Sequence, residues 1–110
     1  MTRLMKLRQQ PFEKIKNKQK VYELRLYDEK RRKINVGDDI TFTAENGETL
    51  TVSVTEILVF PTFEQLYAAL PPEKCGYAEG QAADFKDMYA YYTPEEEREH
   101  GVVAIGIKTV

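Results

Sequence analysis

The chain has 110 residues, 42% hydrophobic and 11% aromatic, which suffices for one modest core and therefore predicts a single domain over residues 1–110. Its longest apolar runs fall well short of the roughly 20 residues that a transmembrane helix needs, so we expect no membrane association. One cysteine cannot form an internal disulfide and the N-terminal residues are charged, so a secreted protein is disfavoured and a cytoplasmic one is expected.

Charge is distributed unevenly along the chain. Residues 1–37 contain 12 Lys or Arg against 4 Asp or Glu, whereas residues 38–110 contain 4 against 14. A basic face of this kind can attract phosphate groups. An ordinary solvated surface is the alternative interpretation, because most runs of charge have no further role.

The first third of the chain predicts strand, helix and strand. Residues 2–7 fit an opening strand, and a short helix containing Phe12 and Ile15 follows the break at Gln10-Pro11. After a turn, residues 20–27 alternate as a half-buried strand. Its apolar face carries Tyr22, Leu24 and Leu26, and its outward face carries Val21, Glu23, Arg25 and Tyr27.

A hairpin is predicted in the middle of the chain. A charged turn or short helix at residues 28–33 and a glycine turn at residues 34–38 precede a strand over residues 40–44. The pair Asn46-Gly47 is typical of a type I′ turn, so this strand should pair with a long strand over residues 49–60. Apolar residues change parity near residues 55–56, which predicts a bulge and a sheet that curls into a barrel.

The second half of the chain is predicted to be helical until its last strand. Thr62 and Gln65 form a capping-box pattern for a helix that Pro71 ends, and a second helix follows around residues 85–92. Thr93 and Pro94 start a third helix, which Gly101 ends. Residues 102–110 are apolar on both faces, as in a central strand, so the fold class is α+β, a small barrel of five or six strands with peripheral helices.

Residues with obvious chemistry are few. One cysteine and one histidine cannot build a structural zinc site, so we expect no metal and no cofactor. His100 stands where the last helix should end and is interpreted as a capping residue. Cys75 is interpreted as a small buried apolar residue, with a reactive thiol as the alternative.

One local pattern combines cations with a carboxylate. Lys20 begins the strand on which Glu23 and Arg25 share a face, so the lysine could lie near the carboxylate. In a partly buried site, such a contact could adapt the lysine to nucleophilic or general-base chemistry. An exposed ion-paired strand surface is the alternative, because Lys-x-x-Glu-x-Arg is a short pattern.

Several segments together resemble a known family. They are Phe12 to Lys16, Lys20 to Arg25, Ile34 to Asp38 and Ile40 to Phe42, followed by Asp87 to Tyr89, Tyr92 and Gly101 to Ile105. This combination resembles the ASCH domain of the PUA-like superfamily over nearly the whole chain. The resemblance implies a small PUA-like β-barrel with a cleft beside the helix-to-strand turn, in a superfamily associated with RNA or modified nucleotides.

The resemblance also implies a candidate reaction. Some small ASCH proteins are amidohydrolases that remove the acetyl group from N-acetylated cytidine with a lysine, a threonine three residues later and a distant glutamate. Lys20 matches the lysine, but Glu23 stands at the threonine position. The distant glutamate could be Glu64, Glu73 or Glu79. A further departure is Lys18, where related sequences often have glycine.

The leading hypothesis is a protein that binds RNA, a nucleotide or a nucleoside in a basic cleft at the turn over residues 16–25. The competing hypothesis is an amidohydrolase that uses Lys20 and Glu23 as catalytic residues on an N-acylated nucleoside. A third is a protein-interaction module that uses acidic helices over residues 85–99. The candidate ligand-binding residues are Lys16, Lys18, Lys20, Tyr22, Glu23, Arg25 and Tyr27, with the tyrosines stacking on a base.

Overall fold

The computed structural model describes residues 2–110. Five strands are formed: β1 (Thr2–Lys6), β2 (Tyr22–Leu26), β3 (Asp39–Thr43), β4 (Thr49–Phe60) and β5 (Val102–Thr109). The α-helices are α1 (Gln9–Lys16), α2 (Glu29–Arg32), α3 (Phe63–Ala69) and α4 (Pro94–His100). Two 3₁₀ helices, Pro72–Cys75 and Phe85–Ala90, lie between α3 and α4.

The five strands form one curled sheet in the order β1-β3-β4-β5-β2. β1 pairs with β3 in parallel, and the other pairs are antiparallel. The predicted α+β class and PUA-like barrel are confirmed as a half-barrel. β1 and β2 are the two edge strands and do not pair through their backbones. A side chain connects them instead, since Arg25 Nη2 donates to Lys6 O at 3.0 Å.

The predicted hairpin between β3 and β4 is confirmed, but its turn type is wrong. A type I′ turn needs positive φ at both central residues, and within residues 2–110 Lys18 is the only non-glycine residue with positive φ. Of the two central residues Asn46 and Gly47, only Gly47 has a positive φ, 90°. Ala44 O accepts from Gly47 N, and Ala44 N donates to Glu48 O, so the loop is longer than a two-residue turn.

The predicted bulge in β4 is confirmed as a register shift between Val54 and Glu56 against β5. Gly106 lies opposite this bulge, and a Cβ there would lie 2.9 Å from Glu56 Cβ and 3.0 Å from Thr55 Oγ1. The close approach requires glycine. The bulge bends β4, so the strand contributes to two cores.

Apolar side chains pack on both faces of the sheet. The first core lies inside the curl and joins α1, through Phe12 and Ile15, to Ile105 of β5. The second core lies on the opposite face, where α3 and the 3₁₀ helices cover Leu24 and Ala104. As predicted, β5 is buried on both faces, because it separates these two cores.

The expectation that β2 is half-buried, with Glu23 facing outward, is wrong. Glu23 is only 3% exposed, although Leu24 and Leu26 fill the second core on the other face as predicted. Glu23 pairs with Ile105, a residue of the first core, so its side chain lies on the face that α1 covers. Alternation within β2 could not reveal that a distant segment covers its polar face.

The helices of the second half begin where the sequence predicts. Thr62 Oγ1 accepts from Gln65 N at the start of α3, and Thr93 with Glu96 forms a complete capping box for α4. The second predicted helix is the 3₁₀ helix Phe85–Ala90. Among the described helices, none is both long enough and apolar enough to span a membrane.

Candidate functional site

A cleft of about 580 Å³ runs beside β2. One wall comes from the end of β1 and from α1, and the other comes from α3, the 3₁₀ helices and the loop between them. The lining residues are Lys6, Leu7, Arg8, Gln10, Pro11, Lys14, Lys20, Glu23, Leu24, Arg25, Tyr67, Cys75, Gly76, Tyr77, Gln81, Asp87, Met88, Tyr91 and Tyr92.

At the base of the cleft, one carboxylate lies between two cations. Lys20 Nζ lies 2.8 Å from Glu23 Oε1, and Arg25 Nε lies 2.7 Å from Glu23 Oε2. The side chain of Lys20 is 11% exposed and that of Arg25 15%. β2 places Glu23 and Arg25 on one face, because alternate residues of a strand share a face, whereas Lys20 precedes β2 and reaches Glu23 from the turn after α1.

The two cations keep Glu23 ionised. Burial alone would raise the pKa of Glu23, but the charges of Lys20 and Arg25, and the hydrogen bonds that they donate, lower it below its usual value near 4.5. Both carboxylate oxygens are therefore occupied by ionic partners. The group of three carries a net charge of +1, which it presents to the cleft.

Gly76 positions two lysines of the cleft. It has φ 106°, a conformation that suits glycine, and ends the first 3₁₀ helix. Its carbonyl oxygen accepts from Lys14 Nζ at 2.7 Å. A Cβ at this position would lie 3.3 Å from Cδ of Lys20, so the glycine leaves room for the lysine stem.

Tyrosines line the wall opposite α1. Tyr77 donates its hydroxyl proton to Asp87 Oδ2 at 2.8 Å, and the Tyr67 and Tyr77 rings meet edge to face at 5.7 Å. At the mouth of the cleft, the Arg8 guanidinium lies 4.9 Å from the centre of the Tyr91 ring. This cation–π contact joins the two walls.

The structure brings together three of the seven predicted ligand-binding residues, Lys20, Glu23 and Arg25. The other four do not line the cleft. Lys16 pairs with Glu48, Tyr22 donates to Glu56, Tyr27 lies under Arg32, and Lys18 lines a separate groove. Tyr22 and Tyr27 are near the basic turn in sequence, but their side chains make their contacts outside the cleft.

None of Glu64, Glu73 and Glu79 lines the cleft, so the hypothesis that one of them is the third catalytic group is not supported. Asp87 is the second carboxylate there. Sequence reasoning missed Asp87 and the tyrosines at positions 67, 77, 91 and 92, because no local spacing relates them to Lys20. For Tyr67 and Tyr92, the helical spacing of apolar residues indicated core positions only.

Cys75 is buried, which confirms its interpretation as a small buried apolar residue. The residue is 7% exposed, and burial raises the pKa of its thiol to about 11. Within residues 2–110, no group of three or more His, Cys, Asp or Glu side chains is arranged to hold a metal ion.

Comparison with known proteins supplies a family and a fold. The ASCH domain model matches residues 5–110. Hypothetical protein PH0355 superposes with a TM-score of 0.85 at 37% identity, covering 100% of both chains. Protein PF0455 from Pyrococcus furiosus superposes with a TM-score of 0.76 at 34% identity, covering 100% of this chain and 98% of that one.

A more distant structure shares the fold. A mutant of ZmASCH from Zymomonas mobilis superposes with a TM-score of 0.69 at 12% identity, covering 97% of this chain and 67% of that one. No curated protein matches the sequence.

Proposed function

Because the chain belongs to the ASCH domain family, which is generally thought to bind RNA, we propose that the cleft beside β2 binds a nucleotide unit, free or within RNA. Such a unit combines a phosphate, which needs cations, with a base, which needs an aromatic or apolar surface. The cleft supplies both.

The observation that carries the proposal is the composition of the cleft lining. Five cations, Lys6, Arg8, Lys14, Lys20 and Arg25, face two carboxylates, so the lining has a net charge of +3. Four tyrosines line the same cleft. Its volume of about 580 Å³ falls within the range typical of small-ligand sites, roughly 300–1,000 Å³.

Within this cleft, the cations and the tyrosines have separate roles. Arg8 and Lys6 are exposed at the mouth and meet the phosphate, whereas Tyr91, also exposed, offers a ring on which a base stacks. Glu23, whose two oxygens each bind one cation, orients Lys20 and Arg25 toward the ligand.

Hydrolysis of an N-acetylated cytidine is the second candidate, because Lys20, which matches the lysine of those amidohydrolases, lines the cleft beside a carboxylate. Attack on an acyl carbon needs a lysine with a free electron pair. In this chain the ionised Glu23 engages Lys20 as an ion pair, and no hydroxyl stands at position 23. The arrangement therefore favours binding over hydrolysis.

A binding experiment tests the proposal. The four nucleoside 5′-monophosphates and an eight-nucleotide single-stranded RNA are titrated into the protein between 50 and 200 mM salt. We expect saturable binding that weakens as salt rises, because phosphate binding releases counterions. Lys20→Ala and Lys6→Ala should each weaken binding about tenfold, and Lys6→Ala keeps the Glu23 contacts intact.

The matched control is Lys16→Ala, which removes an exposed lysine that pairs with Glu48 outside the cleft. It should leave affinity unchanged. Binding that ignores salt, or equal losses in all three variants, would contradict the proposal. Incubation with acetylcytidine separates the second candidate, since a binding protein releases no cytidine, and absence of any nucleotide affinity would favour the protein-interaction hypothesis.

A further inference from the structure

A second concavity lies beside the cleft, separated from it by Lys20. It is a groove of about 260 Å³ whose lining includes Lys18, Lys20 and Lys108, and we call it the lysine groove. None of its lining side chains is acidic. Lys20 lines both the cleft and the lysine groove, so the two concavities are adjacent.

The backbone brings these lysines together from distant parts of the chain. Tyr22 pairs with Gly106, and Ile107 N donates to Val21 O at 2.9 Å, so Lys20 lies across from Lys108. Lys18 enters from the turn after α1. Like charges placed opposite one another on neighbouring strands repel, and an anion between them would remove that repulsion.

Two of the three charges have no internal partner. Glu23 balances Lys20, but Lys18 and Lys108 are exposed, and neither forms a hydrogen bond or an ion pair through its side chain in the described part of the chain. Carbonyls at the end of α1 are already bonded, since Lys14 O accepts from both Gln19 N and Lys20 N. The groove therefore offers ammonium groups to an anion.

Lys18 also has an unfavourable backbone. It is the only non-glycine residue within residues 2–110 with a positive φ, 69°, which glycine adopts at much lower cost. A lysine at this position lowers stability and adds one unpaired cation to the groove. Such outliers cluster at binding sites, where the side chain is needed.

We propose that the lysine groove binds the phosphate of a nucleotide next to the one in the cleft, so that the preferred ligand is a single-stranded oligonucleotide. This inference rests on the proposed function of the cleft. An RNA strand that passes over Lys20 runs from the cleft into the lysine groove. A mononucleotide fills the cleft and leaves the lysine groove unused. Single strands fit because a base can enter the cleft only when it is unstacked.

The test compares two ligands and two double variants. The ligands are the tightest-binding nucleoside monophosphate and the eight-nucleotide RNA. Lys18→Ala/Lys108→Ala removes the free charges of the groove. Lys30→Ala/Lys33→Ala removes two exposed lysines near α2 that line neither concavity, so it is a control of equal charge.

We expect the RNA to bind at least about tenfold more tightly than the monophosphate, because it fills both concavities. The groove variant should lower the RNA affinity about tenfold and reduce the slope of log affinity against log salt by about 0.7, the value for one phosphate contact on a single strand. Its monophosphate affinity should stay within about twofold of the unmodified protein, and the control should change little.

Two results overturn the inference while sparing the cleft. One is RNA that binds no more tightly than the monophosphate, and the other is equal loss in the groove and control variants. Failure of both ligands to bind would instead overturn the proposed function, and the inference with it. Thermal unfolding of each variant shows whether it is folded.

Discussion

Glu23 is the residue whose ionisation couples the cleft to folding. Its side chain is 4% exposed, and both of its oxygens receive hydrogen bonds from cations. Strand alternation in the sequence correctly placed it beside Arg25, and the position of Lys20 at the start of the strand suggested the contact with that lysine. The sequence wrongly predicted that Glu23 faces solvent. Its burial depends on how α1 and β1 pack against β2, and alternation within one strand carries no information on that packing.

Glu23 should make stability depend on pH. Its folded pKa is lowered from about 4.5, so its contribution is present above that pH and is lost as pH falls through the folded pKa. Glu23→Gln should lower the free energy of unfolding by about 2 kcal/mol at pH 7, and this loss relative to the unmodified protein should shrink below pH 4. Urea unfolding at pH 7, 5, 4 and 3 measures both.

The control for this experiment is Glu79→Gln, which makes the same chemical change at an exposed position outside the cleft. It should change the free energy of unfolding by less than about 0.5 kcal/mol. A deficit for Glu23→Gln that is equal at pH 7 and pH 3 would contradict the ionic role.

Among the elements, α4 is tied to its neighbours by one buried carboxylate. Glu97 accepts from Phe63 N, at the start of α3, at 2.9 Å, and from the Tyr89 hydroxyl at 3.0 Å. The sequence predicted the ends of α4 from Thr93, Pro94 and Gly101. It did not predict this tie, because nothing in the acidic run distinguishes Glu97 from its exposed neighbours.

Glu97→Leu should destabilise the packing of these helices. It removes both accepting oxygens and leaves the buried Phe63 N–H without a partner, which costs about 1–3 kcal/mol. In Glu97→Gln the amide oxygen still accepts from Phe63 N and the amide nitrogen donates to the Tyr89 hydroxyl, so its loss should be smaller. Glu99→Leu is the matched control, an identical change on an exposed residue of the same helix. Thermal unfolding should show a lower Tm for Glu97→Leu than for Glu99→Leu, and equal Tm values for these two variants would disprove the tie.

At the scale of the whole molecule, the half-barrel has a seam between its edge strands β1 and β2. Arg25 joins them, since it donates to Lys6 O at 3.0 Å and pairs with Glu23 at 2.7 Å. The seam is also the floor of the cleft. The side chain that joins the two edge strands therefore also lines the cleft.

Arg25→Met should open this seam. It removes the bridge to β1 and leaves the buried Glu23 with Lys20 as its single cation, so we expect a loss of about 3 kcal/mol in the free energy of unfolding. Arg98→Met changes an arginine that is 69% exposed and should have little effect. Urea unfolding measures the difference, and equal stability of the two variants would refute the role of the seam.

The sequence by itself determined the order of the elements, the β3–β4 hairpin, the bulge in β4 and the family, because periodicity, caps and turn residues act over a few neighbouring positions. It also placed Lys20, Glu23 and Arg25 together. The tertiary structure alone decided that Glu23 is buried, that Lys16, Tyr22 and Tyr27 lie outside the cleft, and that Arg8, Asp87 and Tyr91 lie inside it. Most of those contacts join separate elements, such as Arg8 with Tyr91 across the cleft and Tyr22 with Glu56 of β4, and only the packing of both sheet faces brings them together.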